Sequence, residues 1–531
     1  MSAADAFYVT TPIYYVNDAP HIGHAYTTLA CDTIARFARL DGRRVRLLTG
    51  TDEHGQKVEK AASEAGMAPQ AFTDAVSERF RDLARRMQIT NDDFIRTTEP
   101  RHRVGVQALW RELVSRDQIY LGTYAGWYSV RDESFYAESE LVDGLAPTGA
   151  PVEWVEEPSY FFRLSAWQQP LLELYEAQPD FILPASRRNE VVSFVKGGLQ
   201  DLSVSRTSFA WGVPVPDDPE HVVYVWLDAL TNYMTALGYP DREGEGYRTF
   251  WPADVHVVGK DILRFHAVFW PAFLLAAGLE PPKRIFAHGW WTNEGQKISK
   301  SLGNVIDPIE LIETYGLDQT RYFLLREVPF GNDGDFSRAA MVKRMNRDLA
   351  NDYGNLVQRV LSMIQRNCEA RVPEPDVLAE PDRALLDASA ALLARVRDEM
   401  AVHALSRALE AIFEVIGAAN RYVDAQAPWA LRNTDPKRMA TVLFALAETI
   451  RRIALLTQAF MPDASARILD QLAVPHEARA LRHLGEAHAL RPGTPLPPPS
   501  GVLPRLILPA GHAETDALGT AALASKSSTS T

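Results

Sequence analysis

Two short clusters of nitrogen-bearing side chains, His21-Ile22-Gly23-His24 and Lys297-Ile298-Ser299-Lys300-Ser301, stand far apart in a chain of 531 residues. Each has the make-up of a phosphate site. The first follows an apolar run where a strand gives way to a helix, so backbone N–H groups and the helix dipole favour an anion there. Neutral imidazoles at His21 and His24 add N–H donors for phosphate oxygens, and Gly23 leaves room for an adenine ring. In the second, a Gly-bounded loop, Lys297 and Lys300 flank Ser299 and bring charge that can close on a departing pyrophosphate. Together they suit in-line attack at the α-phosphorus of a nucleoside triphosphate, which depends on positioning and charge more than on covalent help. Either cluster alone is weak; the two in this order are specific.

The elements that must position them follow from the pattern of apolar residues. Residues 7–11 and 45–48 read as buried strands and residues 23–40 as the helix between them. Strands whose C-terminal ends carry polar clusters, such as Thr51-Asp52-Glu53-His54-Gly55, match the crevice of a doubly wound parallel α/β sheet, a Rossmann-like domain. The pattern returns at 255–258 and 285–287. Between the halves, a segment rich in aromatic, Gly and Pro residues reads as an inserted domain. From about 341 to 481 the chain is helical: Leu385, Leu392, Leu393, Val396 and Met400 recur at helical spacing, as do Leu405, Leu409, Ile412, Phe413 and Ile416. These stripes are core, and predict an α-helical bundle. The expected division is a catalytic first half over 1–118, an insertion over 119–218, a catalytic second half over 219–292, a lysine-loop region over 293–345, the bundle over 346–485, and a Pro-rich peptide with a disordered tail over 486–531.

Composition bounds the function. Apolar content of 46% with 23% charge is that of a soluble globular protein, and the length exceeds a single core. A net charge of −13 argues against indiscriminate nucleic-acid binding but allows local patches. Lys343-Arg344-Met345-Asn346-Arg347 and Arg451-Arg452 are the candidates, each read more simply as a solvated helix face. With two cysteines, Cys31 and Cys368, no secretory leader and no apolar run long enough for a bilayer, a reducing cytoplasm is expected, with no membrane partner.

The paired clusters resemble those of class I aminoacyl-tRNA synthetases, and the residues between them narrow the resemblance to the methionyl-tRNA synthetases, in their zinc-free bacterial type. Pro12-Ile13-Tyr14-Tyr15-Val16-Asn17, Thr51-Asp52-Glu53-His54-Gly55, Tyr224-Val225-Trp226-Leu227-Asp228-Ala229 and Gly259-Lys260-Asp261-Ile262-Leu263-Arg264-Phe265-His266 all match that family closely. The resemblance runs to about residue 505. It implies that Asp52 takes the ammonium of methionine while Arg206 holds that carboxylate in place. It assigns Ile13, Tyr15, Trp226, Ala229, Tyr233, Asp261 and His266 to methionine binding. Hydroxyl or N–H groups of Tyr and His could mark the sulfur as a weak acceptor, which a methylene is not. Leu230 stands where some of the family carry proline.

For ATP, the resemblance implies His21, Gly23, His24, His288, Gly289, Lys297, Ser299 and Lys300, with His21, His24, Lys297 and Lys300 as the catalytic set. Magnesium would accompany ATP. No general base is needed, because an amino-acid carboxylate is already ionised at neutral pH. The insertion contains no cysteine, so a thiolate zinc site is impossible there and no structural metal is expected. Asn355 and Arg359, four apart on one helix face, and Ala427-Pro428-Trp429 at a later helix start correspond to positions that meet the anticodon. The expected partners are methionine, ATP and tRNA(Met), including the initiator, with the protein a monomer. A small-molecule nucleotidyltransferase would share the first cluster's chemistry but would be far shorter and lack the bundle.

Overall fold

β-Branched and aromatic side chains dominate the first ordered segment, and in a computed structural model of the chain it is a central strand of a parallel sheet. The structure describes residues 5–17, 19–132, 134–136, 138–298 and 304–507. The strands of this sheet are β1 (Ala6–Tyr15), β2 (Arg44–Asp52), β3 (Asp93–Arg96), β4 (Ile182–Leu183), β5 (Val255–Gly259) and β6 (Ile285–His288). They lie in the order β3-β2-β1-β5-β6-β4, every neighbouring pair parallel. The chain leaves β1 towards β2 on one side and returns as β5 on the other, so a crevice opens at the carboxyl ends of β1 and β5. Pro12 has no N–H for the ladder, and the β1–β2 register shifts between Thr10 and Ile13.

Helix α1 (Ile22–Leu40) follows β1, α2 (Pro100–Ser115) opens with a proline in its first turn, and every residue of α3 (Val225–Thr235) is buried. Val106, Leu109, Trp110 and Leu113 of α2 join Leu227, Leu230, Tyr233 and Met234 of α3 in one core with Tyr8, Leu48 and Ile95 of the sheet. The segment expected as the insertion divides its strands. Ile119–Ser129, Ser134–Tyr136, Glu153–Phe162 and Leu202–Ser203 form a separate antiparallel sheet, whereas Ile182–Leu183 extends the catalytic sheet as β4. Residues 1–35 and 43–289 make up this first compact unit.

The second unit comprises residues 36–42 and the chain from 290. It begins with a small hairpin, Trp291–Asn293 against Gln296–Lys297, and then becomes helical. Met345–Gly354 winds as a wide π-helical segment into α4 (Asn355–Asn367). There follow α5 (Glu380–Ala401), α6 (Leu405–Gln426), the short α7 (Pro428–Leu431), α8 (Pro436–Thr457) and α9 (Pro462–Gln471). The apolar stripes read from the sequence are core: Leu385, Leu392, Val396 and Met400 of α5 are buried, as are Leu405, Leu409, Ile412 and Ile416 of α6. Leu393 and Phe413 are half-buried, with Phe413 set against Tyr322 and Tyr353.

One expectation fails in this unit. Arg451 and Arg452 are neither an RNA patch nor a solvated face; both are buried. Glu448, three and four residues earlier on the same helix, accepts from Arg451 Nη2 at 2.6 Å and Arg452 Nε at 2.9 Å. Other guanidinium N–H groups reach the carbonyls of His483, Leu484 and Leu386. The charges are tolerated inside because each is paired with Glu448 and further bonded to backbone carbonyls.

The Pro-rich peptide is docked along the unit. Val372 N–H donates to Thr494 O and Leu496 N–H to Ala370 O, while Leu496, Val502 and Leu503 are buried. Farther on, the Asn346 side chain pairs with the Leu506 backbone in both directions, giving to its carbonyl at 2.8 Å and accepting from its N–H at 2.7 Å. The tail expected beyond residue 510 lies outside the described residues. Among the described residues, no helix is long and apolar enough to cross a membrane, and no group of three His, Cys, Asp or Glu side chains could hold a metal ion.

Candidate active site

The carboxyl ends of four parallel strands bring the expected residues of the first unit to one edge of the sheet. β1 leads into His21, Gly23 and His24; β2 ends at Asp52; β5 ends at Gly259, just before Asp261; and β6 ends at His288.

At the start of α1 the two imidazoles are fixed by their own turn. Gly23 N–H donates to His21 Nδ1 at 3.0 Å, and His21 N–H donates to His24 Nδ1 at 3.1 Å. A ring nitrogen that accepts carries no proton in the neutral imidazole, so Nε2 carries it in both rings. The rings lie 3.9 Å apart, and His24 also meets Tyr14 and Phe80 edge-on. Burial, with His21 adding to it, lowers the His24 pKa well below the ordinary imidazole value, which keeps this donor neutral at pH 7.

Two details differ from the sequence reading. The N–H groups of His21 and Gly23 are spent on the rings, so these two do not serve an anion. Gly23 is also required by a protein neighbour: a Cβ there would lie 2.9 Å from His21 Cε1. Behind this turn, Thr27 Oγ1 is 2.7 Å from His288 Nε2, and His288 Nδ1 donates to Gly289 O at 2.8 Å. Both His288 nitrogens thus have protein partners, and the ring ties the end of β6 to α1.

The apolar half of the site is aromatic. Trp226 stacks on Phe265 at 3.6 Å between centroids, and the edges of Tyr15 and His266 complete its surroundings at 6.4 and 6.2 Å. Trp226, Ala229 and Tyr233 are spaced to share a face of α3. Ile13 is half-buried and packs against the same core, Ala229 and Leu230 are buried, and Asp261 is exposed at the rim. His266 sits in a π-helical turn, Phe265–Phe269, a form often found at functional sites.

Burial lowers the His266 pKa to about 4, although the Ile262 carbonyl and Asp261 pull the other way, so the ring is neutral at pH 7. His266 Nδ1 lies 3.0 Å from the Ile262 carbonyl, which can only accept, so its proton is there. Nε2 therefore accepts the Tyr233 hydroxyl proton over 2.7 Å. That geometry corrects the expected sulfur donors: the hydroxyl proton and the ring proton are both engaged within the protein. Beneath Tyr233, His256 stacks at 4.0 Å between ring centroids.

Asp52 is buried at the end of β2, opposite Tyr15 in the ladder. Arg206, also buried, donates to Ser203 Oγ at 2.7 Å and Ser205 O at 2.6 Å, with its guanidinium over the Tyr224 ring at 4.6 Å. The motif reading did not single out Phe265, His256 or Trp211, although the first lies inside a quoted motif. Trp211 Nε1 donates to Glu53 O at 2.6 Å, beside Asp52.

In the second unit Lys297 ends the hairpin, while Ser299 and Lys300 lie outside the described residues. Arg359 and Trp429 come together there: the guanidinium carbon is 5.6 Å from the ring centroid, and Arg359 Nη2 is 3.0 Å from Asp424 Oδ1. Trp429 is 51% exposed, so a ring face is open to solvent. Asn355 is exposed one turn before Arg359, and Pro428 is buried at the start of α7, following Ala427 in a left-handed conformation with φ of 43°.

Comparison with known proteins adds a family to this geometry. Residues 7–151 and 146–361 match a family described as tRNA synthetases class I (M), and residues 372–507 match the anticodon binding domain of methionyl tRNA ligase. The methionine–tRNA ligase of Mesorhizobium japonicum is 56% identical over 508 residues, spanning 95% of this chain and 98% of the relative. That of Rickettsia felis is 56% identical over 505 residues, spanning 94% and 98%. A solved structure of Mycobacterium tuberculosis methionyl-tRNA synthetase in complex with methionyl-adenylate superposes with a TM-score of 0.92 at 54% identity, covering 94% of this chain and 100% of that one. The apo form from the same organism gives 0.87 at 50% identity, covering 95% and 99%.

Proposed function

The chain belongs to the methionyl-tRNA synthetases of class I, and from that premise we propose how its residues divide the reaction. The enzyme activates methionine with ATP, forming methionyl-adenylate and pyrophosphate, and transfers the methionyl group to the 3′-terminal adenosine of tRNA(Met), initiator included.

In the first step an oxygen of the methionine carboxylate attacks the α-phosphorus of ATP, taken up as its magnesium salt. The new O–P bond forms as the bond to the β-phosphate bridge breaks. His21 and His24 direct Nε2–H to the phosphate oxygens, where two aligned neutral donors stabilise growing charge without being charged themselves. Gly23 and Gly289 line the nucleotide edge, and His288 steadies it through Thr27. Lys297, Ser299 and Lys300 meet the leaving pyrophosphate. Asp52 binds the methionine ammonium and Arg206 supports that carboxylate. Ile13, Tyr15, Trp226, Ala229, Tyr233 and His266 enclose the thioether, and Asp261 guards the rim. The observation that carries this reading is the tautomer-locked imidazole pair on the same sheet edge as Asp52 and an aromatic pocket.

Pyrophosphate exchange measured with each of the twenty amino acids tests it. Methionine should support exchange, with leucine and isoleucine far weaker, since an apolar pocket separates ligands differing by one methylene by about 1–3 kcal/mol. Equal exchange with several amino acids would overturn the assignment.

Asn355, Arg359, Pro428 and Trp429 form the anticodon reader, the first two by donating to base edges and Trp429 by stacking. The half-open Trp429 face supports this. Stacking on an aromatic contributes about 1–3 kcal/mol, so Trp429→Ala should weaken charging of tRNA with a CAU anticodon roughly tenfold. Exchange without tRNA should stay near normal; a parallel fall in exchange would remove Trp429 from the reader. We place this activity in the cytoplasm, with the enzyme a monomer.

A further inference from the structure

Asp228 is a fully buried carboxylate for which the adenylation chemistry has no use. Its helix, α3, has two working faces. Trp226, Ala229 and Tyr233 share one, and Asp228 and Thr235, seven residues apart, share another. Asp228 Oδ2 accepts from His54 Nδ1 at 2.6 Å, and Oδ1 accepts from His102 Nε2 at 2.7 Å. The other nitrogen of His102, at the start of α2, is 2.9 Å from Thr235 Oγ1. α3 therefore grips His102 by both nitrogens.

His54 stands two residues after Asp52, on the loop leaving β2. The loop's other flank is held as well: Trp211 Nε1 donates to Glu53 O at 2.6 Å, and Gly55 N–H donates to Trp211 O at 3.0 Å. The His54 and Trp211 rings meet nearly edge to face, 5.5 Å apart. Besides the bonds that tie Glu53 to Arg96, Thr97 and Thr98, the loop is thus anchored from the strap that carries Arg206 and, through His54, from the helix that carries the thioether wall. Burial on its own would push the Asp228 carboxyl up, but the two imidazoles outweigh it and hold the pKa at about 2. The group is ionised across the neutral range, and removing either hydrogen-bond donor would leave a buried charge poorly matched.

We propose that Asp228 is a positioning residue for methionine recognition: through His54 it fixes the loop bearing Asp52 at a set distance from the Trp226–Tyr233 wall. This rests on the reading that Asp52 binds the substrate ammonium. The wall is held by packing along the whole of α3, so losing the carboxylate displaces the loop and leaves the wall in place.

The test is Asp228→Asn, whose amide accepts on one side only and turns an N–H towards one imidazole. The methionine KM should rise tenfold or more, with kcat within threefold and the ATP KM within twofold of the parent. Competitive inhibition by 4-(methylthio)butanoate, which keeps the thioether and carboxylate but has no ammonium, should change less than twofold. In an Asp52→Asn background, adding Asp228→Asn should raise the methionine KM no more than twofold further. Should Asp228→Asn fail to fold, His102→Leu should raise the methionine KM while His102→Gln, which keeps a donor to Oδ1, restores it. A lowered Tm with an unchanged methionine KM in these variants, or equal loss for methionine and the ammonium-free analogue, would overturn the inference. Asp52→Asn without effect on methionine KM would instead fell the reading beneath it, and the inference with it.

Discussion

Asp52→Ala is expected to raise the methionine KM in pyrophosphate exchange by about 10²- to 10³-fold, the scale of stranding one charge of a desolvated ion pair. Asp52 is 2% exposed and sits at the end of β2, where water cannot replace it readily. The bound ammonium would lose its counter-charge, and the support proposed from Arg206 would have nothing to hold. The ATP KM should move little, because the nucleotide half is built on α1 and β6. A variant with near-normal methionine KM would take Asp52 out of the amino-acid site.

The second large effect separates two roles of one ring. His24 uses Nδ1 to accept a backbone N–H, and in the proposed reading its Nε2–H serves the phosphates. Asparagine can reproduce the Nδ1 acceptor but reaches no farther; glutamine can place an N–H near the Nε2 position. His24→Asn should therefore lower the rate of adenylate formation by about 10²- to 10³-fold, the usual cost of one missing transition-state donor, with methionine affinity little changed. His24→Gln should retain clearly more activity than His24→Asn. Rapid-quench measurement of adenylate formation in the two variants decides it. The reverse ranking would mean that the Nδ1 contact matters more than the donor, and that His24 shapes the turn without touching phosphate.

The two clusters proposed for the phosphates stand out in the sequence because their spacing is local: imidazoles three residues apart and lysines three apart need no tertiary information to be noticed. The parallel sheet and the helical core were legible for the same reason, through strand runs and the spacing of residues such as Leu385, Leu392 and Val396. The amino-acid pocket could be assigned only through resemblance, since Trp226 alone reads as an ordinary core residue. What stayed hidden was pairing across distance. Asp228, His54 and His102 come from three separate elements, and nothing in any one segment announces that they meet. Arg451 and Arg452 were misread because burial is invisible in a local charge count, although Glu448 three residues earlier offered a hint. Proton positions were also out of reach: that the His21 and Gly23 N–H groups are taken by the two rings follows from the folded geometry alone.

The docked peptide of the second unit bears on biosynthesis. It follows every helix it covers, so a ribosome moving at about 5–20 residues per second finishes the bundle before the cover exists. During that interval the surfaces later occupied by Leu496, Val502 and Leu503 are open to solvent and to other nascent chains. The π-helical segment at Met345–Gly354 receives its pairing with Leu506, through Asn346, at the same late stage. Completion of this unit is thus a late event in the life of the chain, and a ribosome stalled just after α9 would display a nearly finished bundle with an unsealed apolar flank, a natural substrate for a holdase chaperone.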